Sequence, residues 1–168
     1  FAYQQLPNFS RVEEYCRYTA SKGRLSNFGA CYKDAVRQLN GTNNLLDVKD
    51  RKVVLFSSGH TALMAAYALS RSKNIAIFNY TFESTRCAAT LQGIKVTILP
   101  VDENYLIPSF ETFRTCTTDC DTICITAPLG LEPIELRAID DWCTKNDKTL
   151  IIDAAATGGS LKFPRDIG

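Results

Sequence analysis

The sequence predicts an α/β protein, a mostly parallel sheet flanked by helices. Apolar runs of four to six residues recur along the chain with helical stretches of about ten residues between them, the spacing of βαβ units. Turn-forming residues such as Ser57-Ser58-Gly59, Asn79 and Pro100 close these runs. A chain of 168 residues, 45% hydrophobic and 22% charged, suits one soluble domain, or one lobe, with a real core.

The elements follow in order. Residues 9–22 place Val12, Tyr15, Cys16 and Tyr18 at helical spacing, with Ser10 as N-cap and Glu13 three residues on in a capping-box pattern. Gly23 and Asn27-Phe28-Gly29 break this helix, and a second covers 30–40, stopping at Asn40-Gly41. Val53 to Phe56 reads as a short strand, and Ala62 to Ser70, rich in Ala, Leu and Met, as a helix. Ile75 to Phe78 is a strand, Thr81 to Leu91 a helix, and Val96 to Leu99 a strand. Pro108 to Cys116 is a helix, Thr122 to Ala127 a strand, Pro133 to Lys145 a helix, and Thr149 to Asp153 the last strand. Crossovers between the strands are expected to be right-handed. The chain carries no internal repeat, low-complexity segment or linker.

Charge and composition narrow the function classes. A formal net charge of +1 gives no electrostatic case for nucleic acid or an anionic membrane. No apolar run approaches the roughly 18 residues of a membrane span. The segment Phe1-Ala2-Tyr3-Gln4-Gln5-Leu6-Pro7 lacks the basic and then apolar order of a secretory signal. Seven cysteines, an odd number with no such signal, point to reduced thiols in a cytoplasmic setting. Cys116, Cys120 and Cys124 are spaced by four, which on one helix would align three thiols for a metal. Asp119, Asp121 and the run Thr122 to Thr126 instead read as a turn entering a strand, so free thiols and no metal site are expected.

Three features could carry chemistry. Leu150-Ile151-Ile152-Asp153 reads as an apolar strand delivering a carboxylate to its C-terminal edge, where open α/β sheets bind ligands. Burying that charge unpaired is costly, so Asp153 should meet a cation in a cleft. Ser57-Ser58-Gly59-His60-Thr61-Ala62 is a strand-to-helix turn whose amides and hydroxyls could cradle a phosphate, or whose Ser58 or Thr61 could simply cap the helix. His60, the single histidine, lies in that turn, and no Ser-His-Asp order is legible. Asn79-Tyr80-Thr81-Phe82 follows a strand and offers an aromatic face, with Phe82 either a stacking plate or a core residue of the next helix. A phosphate cradle, an aromatic plate and a carboxylate on one sheet edge suit a planar, phosphorylated, cationic heterocycle, a description that pyridoxal phosphate meets.

Four segments, in order, resemble the DegT/DnrJ/EryC1/StrS family of sugar aminotransferases, fold-type-I pyridoxal-phosphate enzymes. Gly23-Arg24-Leu25-Ser26-Asn27-Phe28-Gly29 is similar to the family's W-L-T-N-G-G-P, and Ser58-Gly59-His60-Thr61-Ala62-Leu63 to N-G-T-x-A-L. Tyr80-Thr81-Phe82-Glu83-Ser84-Thr85 is similar to S-F-T-F-x-A-T, and Ile152 to Gly159 to E-D-A-A-Q-A-H-G. The resemblance implies the N-terminal part of the large domain over residues 1–168. Its cofactor-binding positions are Ser58, Gly59, His60 and Thr61 at the phosphate, Phe82 on the ring, Asp153 at the pyridine nitrogen, and Ala156. His60 stands where the family usually has Thr, which shifts the expected phosphate contact to the Thr61 amide. Ala156 stands where a Gln commonly meets the ring hydroxyl, and Gly158 where His is common.

In the family, Asp-Ile-Gly leads to the Schiff-base lysine, and here Asp166-Ile167-Gly168 closes the sequence. No catalytic residue is therefore expected in this chain, Lys162 matches nothing in the motif, and the lysine segment and C-terminal small domain are expected to be absent. The implied reaction moves an amino group from a donor such as glutamate to a nucleotide-linked keto sugar, in a homodimer. A sugar dehydratase relative and a non-catalytic remnant or interaction module are the alternatives.

Overall fold

A computed structural model describes residues 7–23, 28–41, 53–102, 104, 106–127 and 135–156. The chain divides into two units, the first holding α1 (Phe9–Ser21) and α2 (Ala30–Gly41), the second everything from Phe56 onward. Residues 24–27 of the first motif, Thr157 to Gly159, Lys162 and Asp166 to Gly168 lie outside the described residues, as do 133–134 of the helix expected from Pro133.

In the first unit, the cap of α1 is Asn8 rather than Ser10. Its side chain accepts the Arg11 amide at 3.3 Å, so the helix starts early enough to take Ser10 into its first turn. Glu13 then has no cap to close and pairs with Arg17 one turn on, at 2.7 Å. The Thr19 hydroxyl meets the Cys31 thiol between the two helices, and Phe28 packs edge-on against Tyr32.

The second unit is a four-stranded, all-parallel sheet. Its strands are β1 (Asn74–Phe78), β2 (Lys95–Leu99), β3 (Thr122–Thr126) and β4 (Thr149–Asp153), in the order β2-β1-β3-β4. The expected strand Val53 to Phe56 does not form: these residues are irregular, with Val54, Leu55 and Phe56 exposed. An apolar run becomes a strand only with a ladder partner for its amides and carbonyls, and the described ladders join β1 to β4 alone.

Helices α3 (Gly59–Ser70) and α4 (Glu83–Thr90) cover one face, and α5 (Phe110–Cys116) and α6 (Leu136–Lys145) the other. Period-two alternation divides the strands between two cores. Ile75, Ile77 and Cys124 meet Leu63, Tyr67, Ala88 and Ala89. Ala76, Phe78, Ile123 and Ile125 meet Phe113, Leu136, Ile139 and Cys143. Each fully buried Ile contributes about 1.5–3 kcal/mol.

The N-terminal edge of the sheet is pinned by polar groups. The Asp121 carboxylate accepts the Lys73 and Asn74 amides at 2.8 and 3.1 Å. Lys148 Nζ donates to the carbonyls of Thr117, Thr118 and Cys120 at 3.0, 2.8 and 2.7 Å. The Ser72 hydroxyl, just past the end of α3, bonds the hydroxyl of Thr122, the first residue of β3.

Candidate functional site

The strand order creates a crevice. From β1 the chain moves outward to β2 through α4 on one face, then returns past β1 to β3 through α5 on the opposite face. Reversing direction while changing face keeps the crossovers to one hand. Between β1 and β3 the order reverses, and such a switch point opens at the carboxyl ends of the strands.

Helix α3 brings its first turn to that edge. Just past its last residue, Ser72 reaches the N-terminal edge at Thr122. Twelve helical residues span about 18 Å, and five strand residues about 17 Å. Its N-terminus is therefore level with the strand C-termini. There Ser58 Oγ accepts the Thr61 amide at 3.2 Å while Thr61 Oγ1 accepts the Ser58 amide at 3.2 Å, a reciprocal capping box.

The Thr61 amide, expected at a phosphate, is thus already engaged, and the Ala62 amide bonds Ser58 O at 3.1 Å. The amides of Gly59 and His60 have no acceptor among the described residues. A Cβ added at Gly59 would meet nothing within 4 Å, so the space beside its Cα is open. The positive end of the helix dipole favours an anion at this point. His60 is half-buried in the same turn.

Phe82 is the N-cap of α4 and is 76% exposed, so it does not join the core of that helix. The helix expected from Thr81 begins at Glu83 instead, because Phe82 is extended (φ −70°, ψ 140°) and the Thr81 hydroxyl is drawn to Thr126 and Thr85. Tyr80 is also exposed.

Asp153 ends β4, opposite Thr126 in the ladder with β3. Alternation puts it on the face of Ile151 and Cys124, the side of α3 and α4. Its carboxylate accepts the Ala155 amide at 3.1 Å, and no cationic side chain pairs with it among the described residues. Ala156 is exposed in the turn that follows.

Two groups beside Asp153 were not legible as site neighbours in the sequence. Tyr67 is wholly buried, and its hydroxyl donates to Thr85 O at 3.2 Å. Burial holds its phenol far above the ordinary range, with the neighbouring Cys124 and Asp153 adding to the shift. Burial likewise pushes the Cys124 thiol up to about 12, opposed by the neighbouring Tyr67 hydroxyl and reinforced by Asp153. Both groups are neutral at physiological pH. The only sequence signal was the helical spacing that turns Leu63 and Tyr67 toward the sheet.

The three evenly spaced cysteines are dispersed. Cys116 is exposed at the end of α5, while Cys120 and Cys124 are buried in the cores on opposite faces of the sheet. Among the described residues no group of three His, Cys, Asp or Glu side chains gathers for a metal, and no described helix is long and apolar enough to cross a membrane.

Residues 44–168 match the DegT/DnrJ/EryC1/StrS aminotransferase family. Comparison with curated proteins by sequence gave no match. Among solved structures, the fold is similar to a doubly substituted ColD, with TM-score 0.69 and 19% identity over 88% of this chain and 40% of that one. It is similar to a double mutant of the aspartate aminotransferase of Thermus thermophilus, with TM-score 0.68 and 18% identity over 85% of this chain and 41% of that one. It is similar too to the histidinol-phosphate aminotransferase of Clostridium acetobutylicum, with TM-score 0.63 and 19% identity over 86% of this chain and 41% of that one. The chain thus spans about two fifths of the length of each.

Proposed function

This chain belongs to the DegT/DnrJ/EryC1/StrS aminotransferase family, and from that premise we propose that it is the N-terminal part of the large domain of a pyridoxal-phosphate-dependent sugar aminotransferase. The observation that carries the reading is Asp153: a partly buried carboxylate at a sheet edge, with no cationic partner among the described residues. It is joined on that edge by an exposed aromatic ring and by two helix N-terminal amides that have no acceptor among the described residues. An anion acceptor, a flat apolar face and a carboxylate are the donor set that a phosphorylated pyridine requires.

In this reading Asp153 holds the proton on the ring nitrogen, through its charge. Phe82 lies against the ring and keeps water from one of its faces. The Gly59 and His60 amides, with the α3 dipole, fix the phosphate and so the ring's orientation. Ala156 borders the ring without offering it a hydrogen bond. Bound pyridoxal phosphate supplies the electron sink that allows an amino group to be exchanged with a keto carbon.

The acceptor is a nucleotide-linked keto sugar, the donor an amino acid such as glutamate, and the working form a homodimer. No lysine of these 168 residues is given the Schiff-base role. Seven free thiols support a reducing, cytoplasmic setting.

Thermal denaturation with added pyridoxal phosphate tests the reading. At a hundred times its dissociation constant the cofactor stabilises the protein by about 2.7 kcal/mol, and Asp153→Ala loses most of that gain. A melting curve that the cofactor leaves unmoved overturns the proposal. Borohydride treatment of the mixture leaves Lys162 unmodified, and a pyridoxyl group there refutes the reading of the lysines.

A further inference from the structure

One polar chain near the crevice takes no part in the chemistry described so far. Thr81 Oγ1 lies 2.6 Å from Thr126 Oγ1 and 3.1 Å from Thr85 Oγ1. Thr85 is fully buried, and its carbonyl accepts the Tyr67 hydroxyl at 3.2 Å. The 2.6 Å contact is at the short end for hydroxyl pairs, and both residues are half-buried, so water replaces it poorly.

The placement of this contact sets its consequence. Thr81 directly precedes Phe82, and Thr126 stands opposite Asp153 in the ladder, where the Ala127 amide also bonds Asp153 O at 3.1 Å. The hydroxyl pair therefore bridges the switch point, from the loop after β1 to the end of β3. The Asn79 amide anchors the start of that loop to Leu99 O at 2.9 Å. At its far end Phe82 makes no side-chain cap bond, so Thr81 supplies the nearest side-chain anchor.

Resting on the reading of Phe82 and Asp153 as cofactor groups, we propose that Thr81 and Thr126 are positioning residues whose shared hydrogen bond fixes the separation between the aromatic plate and the carboxylate. A planar ring must touch both at once, and a loop that drifts by an ångström loses one of them. The hydroxyls act through Phe82 and Asp153 and do not themselves touch the ring.

The test compares the unsubstituted protein with Thr126→Val, Thr81→Val and Thr126→Ser. Pyridoxal phosphate affinity is measured by absorbance titration, and ring orientation by the induced circular dichroism of the saturated cofactor band. Either Val variant weakens binding about fivefold, the net worth of one hydrogen bond, and reduces the induced signal at saturation. Thr126→Ser, which keeps the hydroxyl, restores both to within about twofold. A role in packing alone leaves the saturated signal unchanged and is not rescued by Ser, and either of those results overturns the inference. Should Thr126→Val fail to fold, Thr81→Val decides from the loop side of the pair. Loss of cofactor binding by the unsubstituted protein removes the functional proposal and this inference together. Normal binding and an unchanged signal in both Val variants remove this inference only.

Discussion

Replacing Lys148 with Met removes an ammonium group while keeping an apolar stem, and the structure allows the cost to be worked out. Nζ donates to Thr117 O, Thr118 O and Cys120 O and lies 5.2 Å from the Trp142 ring centroid. The bonds to Thr117 and Cys120 are part-buried and charge-assisted, contributing about 1.5 kcal/mol each at the low end of such bonds. The exposed Thr118 carbonyl is rehydrated at little cost, and the cation–π contact adds about 0.5 kcal/mol. Releasing the half-buried ammonium from its desolvation returns part of this sum, leaving a net loss of about 2–3 kcal/mol.

The single tryptophan makes the assay direct. Trp142 packs edge-on against Phe113, with ring centroids 5.3 Å apart, so its fluorescence follows unfolding of the α5–α6 side of the sheet. Equilibrium urea unfolding of Lys148→Met should move the midpoint downward with an unchanged slope. A loss below about 0.5 kcal/mol, the range of ordinary surface substitutions, would refute the reasoning that Lys148 ties the turn before β3 to the turn before β4.

Two more outcomes follow from the titratable groups. Amides of Lys73 and Asn74 hold the Asp121 carboxyl below its usual range, so its folded pKa lies under its unfolded one. Its contribution to stability is present above the unfolded value and is lost as pH falls through the folded one. Asp121→Asn should therefore flatten the fall in unfolding free energy below about pH 4, and an unchanged acid slope contradicts this. In thiol labelling at neutral pH, exposed Cys16 and Cys116 react first, while buried Cys120, Cys124 and Cys143 react only on unfolding. Peptide mapping after a short exposure to iodoacetamide gives the order, and early modification of Cys124 counts against its burial.

Some elements were legible because their signals are local. The strand Thr149 to Asp153 has the bounds its apolar run suggested, and the Ala-rich helix after Gly59 follows from propensity and its cap. Errors arose where local signals competed. Ser10 looked like a cap, yet Asn8, two residues earlier, takes the amide. Thr81 looked like the first residue of a helix, yet its hydroxyl bonds a threonine 45 residues away. Val53 to Phe56 carried a strand's composition but has no ladder partner among the described residues.

By itself, the sequence determined the alternation of elements and the residue types at the strand ends, because period, propensity and turn chemistry act over a few residues. Only the tertiary structure decided the strand order, the face that each side chain takes, and the engagement of the Thr61 amide while those of Gly59 and His60 find no acceptor among the described residues. It alone set Tyr67, Cys124, Thr81 and Thr126 around the end of β4. Those neighbours come from distant parts of the chain, and only the packing of helices on a parallel sheet brings them together.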